Sequence, residues 1–133
     1  MSGVAVVRFL LANNAALIAQ VPAAKIMAGP IPMNTVLPAI SVAQVSGVQR
    51  NMVGMNAVKY QVTDRVQVTV MASTYPLQKS ILALIRAACP HTRGTINGIN
   101  CDSILPDVEG PDFRDDTAAI YMQSQDYIVK FNR

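Results

Sequence analysis

Cys89, His91 and Cys101 are the residues whose types would combine into a reactive or metal-binding group, and His91 is the only histidine in the chain. A Ser-His or Cys-His nucleophile pair would have to use that one imidazole with Cys89, Cys101 or a distant serine, and no spacing singles out a partner. As zinc ligands the three lack a fourth at a recognised spacing. The plainer reading is a thiol filling the apolar stripe of a helix and a surface histidine just beyond its end, since free cysteine is among the most buried residue types. No catalytic residue, metal ligand or cofactor is assigned.

The second group is acidic. Asp107, Glu109, Asp112, Asp115 and Asp116 face Arg114 alone, a local net charge of −4 that leaves +7 on the rest of a +3 chain. The run lacks the alternating ligands and central glycine of an EF-hand. It is expected to be solvated, or to serve as a charged interface or channel lining. Gly94 to Gly98 has neither the lysine nor the length of a phosphate-binding loop. The eleven Lys and Arg residues are spread singly with no aromatic interleaving, so they predict solvating charge rather than a groove that tracks phosphates. Met52 and Met55 lie in a segment rich in glycine and asparagine, where methionine either fills gaps or offers an adaptable apolar contact to a partner.

With chemistry this sparse, composition carries more weight. The 133 residues predict one domain, residues 1–133, able to bury roughly two thirds of its unfolded-chain surface. Hydrophobic residues make up 51% and charged ones 14%, against about 25% in ordinary domains, so much of the surface must be neutral or apolar and an obligate homo-oligomer is expected. A membrane span would need roughly 18 uninterrupted apolar residues. The best window, Ala15 to Met33, is broken by Gln20, Pro22, Lys25, Pro30 and Pro32. The first apolar run carries Arg8 and no basic leader, so the chain is expected to remain in the cytoplasm with its thiols reduced.

The elements that must position these residues follow from periodicity. Val62, Val66, Val68 and Val70 alternate with Gln61, Thr63, Arg65, Gln67 and Thr69, the two-residue period of a strand with one buried face. The period then changes: Ser73, Thr74 and Pro76 suit a helix start, and Leu77, Ile81, Leu84, Ile85 and Ala88 form one apolar stripe that ends before Pro90. This strand and helix form the spine. Upstream, Val4 to Leu11 and Ala15 to Val21 read as one interrupted helix with Asn13 or Asn14 as an internal cap, and Leu37 to Val48 as a strand. Residues 46 to 58 read as a long hairpin tip. Downstream, Ile96-Asn97-Gly98-Ile99 predicts a type I′ turn and a strand to Leu105. Pro106 to Asp116 reads as a loop, and Ala118 to Phe131 as a strand with a bulge near Ser124 to Asp126. The order predicts an α+β domain, a mainly antiparallel sheet with two helices on one face.

Taken together, the broken helix Phe9-Leu10-Leu11-Ala12-Asn13-Asn14-Ala15-Ala16-Leu17, the strand Leu37-Pro38-Ala39-Ile40-Ser41-Val42 and the segment Asp64 to Tyr75 form a recognisable layout. With the helix Ile81 to Ala88, the Gly94 to Gly98 turn, the acidic run and the closing Tyr127-Ile128-Val129-Lys130-Phe131, it resembles the tail-completion or tail-terminator proteins of long-tailed bacteriophages. That resemblance implies a structural virion subunit, not an enzyme, assembled in the host cytoplasm. It would form a ring, commonly a hexamer, at the head-proximal end of the tail. The ring would stop tube polymerisation, touching the major tail tube protein on one side and the head-tail connector on the other, with DNA passing through its lumen. Competing classes are another connector or minor tail protein of the virion, and a small cytosolic enzyme or ligand-binding domain. Within the first reading, Met52 and Met55 would anchor the hairpin tip to a neighbour. Asp107, Glu109, Asp112, Asp115 and Asp116 would line the lumen or meet an adjacent subunit.

Overall fold

The computed structural model describes residues 3–32, 36–51, 60–91, 93–116 and 119–132. Helices α1 (Gly3–Ala12) and α2 (Ala15–Gln20) lead through a 3-10 turn at Ala23–Lys25 into β1 (Ile26–Ala28) and β2 (Ala39–Asn51). Then come β3 (Tyr60–Ala72), α3 (Tyr75–Ala88), β4 (Gly94–Ile96), β5 (Ile99–Glu109), β6 (Phe113–Asp115) and β7 (Ile120–Asn132). The fold is α+β, as expected. One seven-stranded sheet runs in the order β1-β2-β3-β7-β5-β4, with β6 added beside β7, and every pairing but β1 with β2 is antiparallel.

The spine is where periodicity placed it. Val62, Val66, Val68 and Val70 point into the core with Tyr127, Val129 and Phe131 of the neighbouring β7. The Thr74 hydroxyl accepts from the Leu77 amide at 3.3 Å, Pro76 occupies the first turn and Cys89 closes α3. The buried stripe of that helix is centred about one residue from the expected one: Gln78, Ile81, Leu82, Ile85 and Ala88 are buried, while Leu77 and Leu84 pack at its margin. Asp64 shares the valine parity and is buried, accepting a hydrogen bond from the Gly3 amide at 2.9 Å that ties the start of α1 to the central strand.

Four expectations need correction. The interrupted N-terminal pattern is two helices, not one, because the Asn14 side chain accepts from the Leu17 amide at 3.0 Å and begins a new helix. Among the described residues three α-helices therefore accompany the sheet. Residues 46–51 are strand rather than hairpin tip, paired from Ser46 with Arg65 to Asn51 with Tyr60. Gly47 is there for room: a Cβ would lie 2.7 Å from the Asp64 carboxylate. Met52 and Met55 lie outside the described residues.

The segment Pro106 to Asp116 is mostly strand as well. β5 continues through Pro106 to Glu109, with register shifts at Cys101/Ser103 and Pro106/Glu109, and β6 follows. Proline is tolerated because this stretch of β5 has no neighbour on its outer side among the described residues. β7 carries no bulge against β3, where the register is unbroken from Tyr121 to Asn132. Its buried parity continues into Gln123 and Gln125 rather than changing side, and their amides donate to backbone carbonyls of Gly110 at 2.9 Å and Asp126 at 3.1 Å. Polar residues satisfied inside the core face hid the period. The Asn97-Gly98 turn has positive φ at both positions, 51° and 75°, as a type I′ hairpin requires.

Candidate assembly surfaces

The groups that would carry chemistry are dispersed. Cys89 and Cys101 are free and buried; burial pushes the Cys89 thiol up to about 12, leaving it protonated and unreactive at neutral pH. His91 is exposed beyond the end of α3. Among the described residues no three His, Cys, Asp or Glu side chains gather closely enough to hold a metal ion. Among the described residues no helix is long and apolar enough to cross a membrane.

The acidic run folds into a clasp at one end of the sheet. Asp107 on β5 lies 2.5 Å from an Arg65 nitrogen on β3, which also meets Asp126 of β7 at 3.1 Å. Glu109 pairs with Arg86 on α3, and Asp116 with Arg114 on β6. Asp112, in the turn between β5 and β6, accepts from the Tyr75 hydroxyl at 2.6 Å and pairs with Lys79 at 3.0 Å. The Tyr75 hydrogen bond and then Lys79 hold the Asp112 carboxyl below the ordinary carboxylate range. Asp115 lies on β6, opposite Ile120 of β7. Asp107, Glu109, Asp112 and Asp116 thus meet cations of their own chain, three of those cations coming from β3 and α3. Lys79 and Arg86 are seven residues apart and so share a helix face, a spacing visible in the sequence, which lets them reach Asp112 in the β5–β6 turn and Glu109 at the end of β5.

The same end carries an aromatic cluster that residue types alone did not flag. Tyr75 and Tyr121 meet edge to face with centroids 6.1 Å apart, Lys79 lies over Tyr75 and Arg114 over Tyr121. Phe113 stands exposed beside them, closing a small cleft of about 140 Å³ lined by Tyr75, Asp112, Phe113, Arg114 and Tyr121.

Two strand flanks are bare. β1 covers β2 only at Ile40 to Val42, and β4 covers β5 only at Ile99 to Cys101, so residues 43–48 of β2 and 102–109 of β5 have no strand on their outer sides among the described residues. Each bare length exposes two aliphatic side chains: Val45 at 53% and Val48 at 52% on β2, Leu105 at 41% and Val108 at 53% on β5. Beside the β2 flank, Val48, Arg50, Gln61, Thr63 and Lys130 line a shallow basic groove of about 380 Å³. On the β5 side the Asp102 carboxylate accepts from Gln61 Nε2 at 2.9 Å and Asn132 Nδ2 at 3.1 Å, amides that orient the charge without neutralising it.

No protein-family model and no curated protein matches the chain. Among solved structures the fold is similar to a chain from the virion of a native gene transfer agent particle, with a TM-score of 0.70 over 99% of this chain and 96% of that one, at 11% sequence identity. At that identity the likeness is one of fold.

Proposed function

We propose that this chain is a tail terminator, a non-enzymatic structural subunit of a phage-like particle. It forms a ring, in the reading we favour a hexamer, at the head-proximal end of the tail tube, stops tube polymerisation and offers the opposite surface to the head-tail connector. The observation that carries this reading is the end-to-end fold match to a chain of a virion particle. The layout of helices, central strand and closing strand described from the sequence supports it independently. So does the surface: long bare strand flanks and exposed aliphatic and aromatic side chains suit a subunit that lives against neighbours. In this reading Met52 and Met55 contact a neighbouring copy or the tube, and DNA crosses the lumen without sequence-specific contacts.

Particles assembled without this chain test the role. The expected result is tail tubes of uncontrolled length that fail to join heads, restored by adding the protein. Tubes of normal length, or normal head joining, would overturn it.

A further inference from the structure

We propose that the bare flank of β2 in one copy pairs antiparallel with the bare flank of β5 in the next, so that the sheet continues from subunit to subunit. This rests on the ring reading above and names the joint that would build it.

Topology makes the pairing possible. The four long strands β2, β3, β7 and β5 alternate in direction, so β2 and β5 run oppositely within one sheet. Rotating a second copy about an axis roughly along the strands lays its β5 against the first copy's β2 with alternation unbroken and the helices kept on the same side. An even number of strands is what permits this. The two flanks also lie at the same height: Ser46 is level with Arg65, Ile128 and Leu105 across the sheet, and Val48 with Thr63, Lys130 and Ser103. The short strands β1 and β4 cover opposite ends of the joint, which confines pairing to a window near Val45–Val48 and Asp102–Leu105.

Chemistry selects this partner over others. On the β2 side the exposed cation is Arg50, whereas the β5 window brings Asp102, whose carboxylate accepts from the amides of Gln61 and Asn132. Pairing β2 with β5 brings Arg50 of one copy toward Asp102 of the next, which favours one register. Val45 and Val48 gain cover from Leu105. Pro106 donates no amide hydrogen and so ends the ladder on the β5 side. An uncovered strand edge is a template for another strand, and a joint between two different flanks is heterologous, the kind that forms a ring when its rotation closes.

The test mixes copies carrying Val48→Cys with copies carrying Leu105→Cys and treats them with a short bifunctional maleimide, while electron microscopy follows assembly. The native thiols are buried and serve as the blank. The expected product is a cross-linked pair containing one of each copy, formed in the mixture and in neither protein alone. Rings without that mixed product, or Val48→Cys copies cross-linking to themselves, overturn this joint while leaving the ring reading in place. Absence of rings altogether fails that reading as well. A Val48→Lys variant gives an independent check. With an unchanged circular-dichroism melt it is expected to assemble roughly tenfold or more weakly, because a lysine entering the joint replaces an aliphatic contact with Leu105 by a desolvated ammonium. Assembly at the wild-type level overturns the proposal.

Discussion

At the acidic end of the sheet Asp107, Glu109, Asp112 and Asp116 each meet a cation of the same chain, whereas along the flanks Val45, Val48, Leu105 and Val108 meet solvent. The contrast reverses what a linear reading suggests. Clustered charge looks like a surface awaiting a partner, and folding supplies much of that partner from β3 and α3. Neutral strand residues look inert, and folding leaves their backbone edge and aliphatic side chains bare. In the assembly proposed above, it is this uncovered surface, not concentrated charge, that carries the contacts between copies.

Mutations sharpen that distinction, beginning with the interior as reference. Ile81→Ala should lower unfolding free energy by about 2–5 kcal/mol in urea titrations, since the side chain is wholly buried between α3 and the sheet. Asp64→Ala removes the acceptor of the Gly3 amide and should cost about 1–3 kcal/mol by the same measurement. A loss below half a kilocalorie would mean that α1 is not held by this bond.

The clasp predicts a smaller, pH-dependent effect. Because the Asp112 carboxyl is held below its ordinary range, its contribution is present at neutral pH and disappears as pH falls below the usual carboxylate pKa. The contacts are exposed, so the effect on melting should be slight and weakened by salt. Asp112→Asn should abolish the acid-induced shift of the Tyr75 ring signals in NMR spectra. Replacing Asp112, Asp115 and Asp116 together by Asn should leave the monomer folded; an unfolded triple variant would make the clasp a folding requirement. The smallest stability change belongs to the flanks. Val48→Lys should alter monomer stability by no more than about 0.5 kcal/mol while impairing assembly.

How far the fold was legible depended on who satisfied the polar groups. β3 and α3 were readable because valine alternation, the Thr74 cap and Pro76 all agree. The Asn97-Gly98 hairpin was readable from two residues. β7 misled because Gln123 and Gln125 occupy core-facing positions that hydrogen bonds make tolerable, Gln123 with the Gly110 carbonyl and Lys79, Gln125 with the neighbouring Asp126 carbonyl. Gly47 looked like a flexible tip and is instead a close approach to Asp64, a contact across the β2–β3 pair that local spacing does not encode. The acidic residues were found, but their partners Arg65, Lys79 and Arg86 lie on elements brought near only by folding. The bare flanks were invisible, because which strand lies at an edge is a property of sheet order.

The central claim is that many copies of this chain close a ring at the upper end of a tail. Electron cryomicroscopy of assembled particles tests it most directly. The account predicts a symmetric ring of this chain between tube and head connector, with sheets joined across subunits; a single copy at that position, or none, would contradict it.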